Sequence, residues 1–137
     1  TFVERRAAEG VGRPARLAIA VTDEVHASVR AAARVMDVEV LSVPTDSAGR
    51  LTGAALGAAL ARHASTSPDQ SVFAVVATGG TTNAGTVDDL DGVADVCQER
   101  GLWLHVEYRG AGVVWPGCVA GESATSGRVV WRLIRCF

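Results

Sequence analysis

The stretch Phe73 to Glu107, FAVVATGGTTNAGTVDDLDGVADVCQERGLWLHVE, constrains the chain more than any other. An apolar run, Phe73 to Ala77, breaks into a polar, glycine-rich segment from Thr78 to Gly85. Asp88, Asp89 and Asp91 open a helical segment that closes at Gly101, and a second apolar run, Leu102 to Val106, ends on the carboxylate of Glu107. Strand, loop, helix and strand in that order make one βαβ unit. Both strands end in residues able to hydrogen-bond or carry charge, at the end of the sheet where α/β proteins place ligands.

The preceding chain repeats the alternation. Leu17 to Val21 is a β-prone run, and Thr22 or Asp23 is placed to cap the helix that follows. His26 to Met36 puts Val25, Val29, Ala32, Ala33 and Met36 on one helical face. Val38 to Val43 alternates as a strand, and Pro44 to Arg50 is a turn built on Asp46, Ser47 and Gly49. Thr52 to Arg62 is a helix of small residues, and Ala64 to Gln70 is a loop. The expected fold is therefore α/β, a mostly parallel sheet with helices on both faces. Phe73 to Ala77, apolar throughout, is its central strand. Thr1 to Gly10 reads as the end of a helix. The chain after Glu107 loses its period, so 1–112 is expected to form one domain part and 113–137 a divergent tail.

Composition narrows the classes of partner. Of 137 residues, 48% are hydrophobic and 20% charged, as in a globular protein with a real core. The net charge of -2 gives no reason to expect nucleic acid or an anionic membrane surface. No apolar run approaches the roughly 20 residues of a membrane span. The first ten residues carry Glu4, Arg5, Arg6 and Glu9, unlike a signal peptide. Cys97, Cys118 and Cys136 are odd in number and lack a metal-binding spacing, which fits a reduced, cytoplasmic setting. All 13 basic residues are arginine, so the chain has no lysine.

Four groups of residues are chemical candidates. The Thr78 to Asn83 loop offers glycines for close backbone approach and hydroxyls for a phosphate or ring substituent, and reads equally as a turn ending a strand. It lacks the lysine of a P-loop. Asp88, Asp89 and Asp91 read chiefly as acids favoured by a helix N-terminus, and Asp95, one turn further on, as a solvated residue. His105 and Glu107 share a strand face, but a zinc deaminase would need Pro-Cys-x-x-Cys downstream, and Pro116 is followed by Gly117 and Cys118. His26 begins a helix just past a strand end. Taken alone it reads as a capping or surface residue, and with Thr82 and Glu107 it can share one rim of the sheet.

VTDEVHASVRAAARVM, FAVVATGGTTNAGTVDDL and GLWLHVE, in this order and at these separations, resemble the pyridoxal-phosphate-dependent group II amino-acid decarboxylases, which include the aromatic-amino-acid, glutamate and diaminobutyrate enzymes. The resemblance covers about Thr1 to Gly112. It implies the aspartate-aminotransferase-like fold (fold type I), of which this chain is an inner part of the large domain, and homodimers in the full-length family. It implies pyridoxal 5'-phosphate as cofactor and an amino acid as substrate. His26 would stack on the pyridine ring, Thr82 would lie near the ring oxygen, and Glu107 stands where the family has an aspartate that pairs with the protonated ring nitrogen. Glutamate is longer than aspartate by up to ~1.5 Å.

The sequence departs from the pattern after Glu107. The family continues His-Val-Asp-Ala-Ala-Tyr-Gly-Gly, whereas this chain reads His105, Val106, Glu107, Tyr108, Arg109, Gly110. The family's Asp-Pro-His-Lys, with its Schiff-base lysine, has no counterpart here, and arginine cannot replace it because it stays protonated. The family's glycine/serine phosphate loop and small C-terminal domain have no counterpart either. The chain is thus expected to be a truncated or frame-disturbed member, inactive alone and with no catalytic residue of its own. The alternative is a non-catalytic α/β module for binding or interaction.

Overall fold

A computed structural model of the chain describes residues 16–80 and 85–107, with Ala8 and Gly10 besides. The helix expected over Thr1 to Gly10 and the tail 113–137 lie outside the described residues, apart from those two positions. The described part runs β1 (Arg16–Val21), α1 (Ala27–Val35), β2 (Glu39–Ser42), α2 (Gly53–Thr66), β3 (Gln70–Thr78), α3 (Leu90–Arg100) and β4 (Trp103–Glu107). The four strands form one sheet in the order β2-β1-β3-β4. Every pairing is parallel, as the β-α alternation requires.

Alternate residues of the strands feed two apolar layers. Ile19, Val21 and Val76 face α1 and pack with Val25 and Ala33. Ala20, Val75 and Ala77 face the other way and pack with Leu56, Ala59 and Leu60 of α2 and Leu90, Val93 and Cys97 of α3. Leu51 and Leu56 are wholly buried. Burying such a side chain is worth about 1.5–3 kcal/mol. Helices on both faces explain why β3 reads as a continuous apolar run.

The helix ends follow local chemistry. Thr52 caps α2, its hydroxyl accepting from the Ala55 N–H at 3.2 Å. Asp89 caps α3 by accepting from the Gly92 N–H. Gly101 closes α3 in the left-handed conformation, φ +63°, which costs glycine least. Because each helix follows its strand, the N-termini of all three begin just beyond strand C-terminal ends.

Three expectations need correction. The cap of α1 is neither Thr22 nor Asp23 but His26, whose Nδ1 accepts from the Ser28 N–H at 3.2 Å. Met36 and Ala32 are exposed and leave the apolar face to Val25, Val29 and Ala33. Ala64 to Thr66 belong to α2 and not to a loop. Among the described residues, no helix is long and apolar enough to cross a membrane.

Candidate functional site

The C-terminal ends of β1, β3 and β4 form one rim, and the sequence places its polar residues there. β4 alternates Leu104 and Val106 toward the α2–α3 layer, so His105 and Glu107 project to the α1 side. β1 ends at Val21, and the short turn from Thr22 to Val25, closed by the Val25 N–H on the Thr22 carbonyl, delivers the chain to His26.

Across this rim the His26 backbone N–H donates to Glu107 Oε2 at 3.4 Å. The two residues stand 81 apart in sequence, and β3 lies between their strands. A carboxylate at a helix N-terminus is favourably placed for both the free N–H groups and the macrodipole. The His26 ring is fixed by its cap: Nδ1 meets the Ser28 N–H and, at 2.6 Å, the Ser28 hydroxyl. His26 and Glu107 are both half-buried, so a ligand can reach them. The structure thus joins two of the three residues expected at the site. Thr82 lies outside the described residues. Gly80 and Gly85, on either side of residues 81–84, are described, and Gly85 takes φ +63°, a turn conformation open to glycine.

The base of the Thr82 loop is held by a residue that the sequence reading treated as a helix-opening acid. Asp88 is not in α3. It is buried, with Oδ2 accepting from the Thr78 N–H at 2.6 Å and Oδ1 from the Leu51 N–H at 2.7 Å. Burial pushes its carboxyl above the ordinary carboxylate range, against the pull of these two N–H donors. The doubled Asp88-Asp89 was the available signal, since one aspartate suffices to cap a helix. Beside it, Gly79 N–H donates to the Glu107 carbonyl at 2.7 Å, tying the loop to the strand end that carries the carboxylate.

A flanking group completes the rim near β2. Arg30 donates to Asp23 Oδ1 at 2.9 Å and to the Thr22 carbonyl at 3.3 Å, and the Ser42 hydroxyl donates to the same Asp23 oxygen at 3.2 Å. This exposed cluster braces the turn between β1 and α1. Chemically, the rim can hold a flat ring carrying a protonated nitrogen, with an imidazole for its face and a carboxylate for its edge.

Comparisons with known proteins identify the family and the fold. The family model described as the pyridoxal-dependent decarboxylase conserved domain matches residues 4–117. Bovine (Bos taurus) aromatic-L-amino-acid decarboxylase is 35% identical over 103 residues, covering 74% of this chain and 21% of that protein. Rat (Rattus norvegicus) cysteine sulfinic acid decarboxylase is 53% identical over 47 residues, 34% of this chain and 8% of that one. Among solved structures, Oryza sativa TDC with PLP and tryptamine superposes with a TM-score of 0.63 at 30% identity, over 77% of this chain and 22% of its own. Mouse CSAD in apo form gives 0.60 at 35% identity, over 66% of this chain and 19% of its own. The chain therefore spans about a fifth of the length of bovine aromatic-L-amino-acid decarboxylase.

Proposed function

The chain belongs to the pyridoxal-dependent decarboxylase family, and from that premise we propose that it is the ring-gripping part of an amino-acid decarboxylase's large domain. The observation that carries the reading is the contact between the His26 N–H and the Glu107 carboxylate. It brings the start of α1, which carries the His26 imidazole, to the Glu107 carboxylate at the carboxyl end of a parallel sheet, and these are the two groups that the family resemblance assigns to the face and the edge of the cofactor's pyridine ring.

The residues present suit the ring. Glu107 would hold a proton on the ring nitrogen through opposite charge. The His26 imidazole, oriented by its bonds to Ser28, would cover the ring face, and Thr82 is the residue that the resemblance assigns to the ring oxygen. Bound there, pyridoxal phosphate supplies an electron sink for the pair left behind when an amino acid loses CO₂. This chain has no lysine, so its residues supply grip and proton retention but no covalent attachment. In this reading residues 1–112 are part of the large domain, the full-length protein is a cytoplasmic homodimer, and its substrate is an amino acid.

Titration with pyridoxal phosphate, followed by absorbance, tests the reading. Non-covalent binding is expected, weakened roughly 10-fold by Glu107→Ala, as for loss of a charge-assisted hydrogen bond. No CO₂ is expected from the isolated chain. Equal binding by wild type and Glu107→Ala would overturn the proposal, as would a borohydride-reducible side-chain adduct.

A further inference from the structure

Asp88 joins three parts of the chain: the end of β3, the residue before the cap of α2 and the segment that leads into α3. Its carboxylate takes the Thr78 N–H at 2.6 Å and the Leu51 N–H at 2.7 Å. Its own N–H returns to the Thr78 carbonyl at 2.9 Å, and the next residue's N–H, Asp89, returns to the Leu51 carbonyl at 2.9 Å. Thr78 and Leu51 are thus each bonded twice. Thr78 is the last residue of β3 and the register partner of Glu107. The following residue, Gly79, holds the Glu107 carbonyl.

From these contacts we propose that Asp88 is a positioning residue for the cofactor rim. Its buried carboxylate fixes where β3 ends, hence where Gly79 grips Glu107, and so sets the side chain that meets His26. The inference rests on the ring-gripping reading for its purpose, and on the hydrogen bonds alone for its mechanics. Both partners of the carboxylate are N–H donors. An acid accepts from both, whereas the amide of Asp88→Asn opposes one of them with an NH₂ group. A buried donor is then left unmet.

The test is amide hydrogen exchange, with pyridoxal phosphate binding as a second readout. In Asp88→Asn, exchange at Gly79 is expected to rise on the order of 10-fold relative to Ala18 and Ala20 in β1. Pyridoxal phosphate binding should weaken by a similar factor. A role limited to general stability would instead raise exchange at Gly79 and β1 together, and that outcome overturns the proposal. If Asp88→Asn does not fold, the wild-type chain still decides. Leu51, Thr78 and Gly79 should open as one unit in rising urea, and independent opening of Gly79 overturns the proposal. Failure of the wild type to bind pyridoxal phosphate would sink the ring-gripping reading alone, with exchange at Gly79 still deciding what Asp88 holds.

Discussion

Gly53 of α2 and Gly92 of α3 meet so closely that a β-carbon at position 53 would overlap the Gly92 carbonyl. Asp89 lies in the same corner, capping α3 and accepting weakly from the Gly53 N–H at 3.4 Å. The two helix N-termini are therefore locked at the rim by the absence of a methyl group. Gly53→Ala is expected to lower stability by about 1–3 kcal/mol, the usual cost of overpacking. Gly57, one turn further along α2, has no atom within 4 Å of such a β-carbon. Gly57→Ala should raise stability by roughly 0.5–1 kcal/mol through helix propensity. Urea denaturation of the two variants checks the opposite signs.

Cys97 is 1% exposed in the layer between the sheet and α3, and burial pushes its thiol up to about 12. Only the thiolate reacts with alkylating agents. At pH 8 the folded chain should label at Cys97 roughly 1000-fold more slowly than the unfolded chain, from the thiolate fraction alone. Iodoacetamide labelling with peptide mapping, which separates Cys97 from Cys118 and Cys136, measures this. Rapid labelling of Cys97 without unfolding would contradict the packing of α3.

Asp46 shows how the turn before α2 depends on pH. Its Oδ1 accepts from the Ala48 and Arg50 N–H groups, both at 2.9 Å, and Oδ2 accepts from the Arg50 side chain at 3.0 Å. The Arg50 N–H, with further help from the guanidinium, holds its carboxyl below the ordinary 3.8. A lowered folded value means stability present above pH 3.8 and lost as pH falls through that folded value. Asp46→Asn keeps the Oδ1 acceptor and removes the charge. The stability gap between wild type and this variant should therefore be full at pH 6 and close toward pH 3. Asp88, raised by burial, has the opposite sign: its contribution is present in acid and lost as pH rises through its folded value. Urea midpoints at pH 3, 4 and 6 separate the two groups.

Element order was legible because parallel strands buried on both faces must read as apolar runs, and Phe73 to Ala77 does. Gly101 announced the end of α3 for an equally local reason, the left-handed turn. Other features depend on contacts that sequence hides. α2 runs through Ser65 and Thr66, residues that read as loop; inside the helix their hydroxyls bond back to the Ala61 and Arg62 carbonyls instead of opening a turn. Asp88 looked like one more acid at a helix start, and only the approach of Leu51 and Thr78 gives it a separate task. The order β2-β1-β3-β4 is likewise a tertiary fact. His26 and Glu107 could be paired from the family resemblance, while their direct contact through the His26 N–H required the fold.

His26 also has two separable duties in its side chain. Its Nδ1 caps α1 through the Ser28 N–H at 3.2 Å, while its ring is the candidate cover for a bound pyridine. Asparagine is among the best N-caps, whereas alanine at such a position costs about 1 kcal/mol. His26→Asn should therefore keep stability within about 0.5 kcal/mol of wild type, and His26→Ala should lose about 1 kcal/mol. Both variants lack the imidazole, so both should bind pyridoxal phosphate more weakly, roughly 3- to 10-fold if ring stacking contributes as aromatic pairs do. Urea denaturation and absorbance titration on the same samples read the two duties apart. If His26→Asn matched wild type in binding as well as in stability, the imidazole would be a helix cap and nothing more, and Glu107 would hold the ring without it.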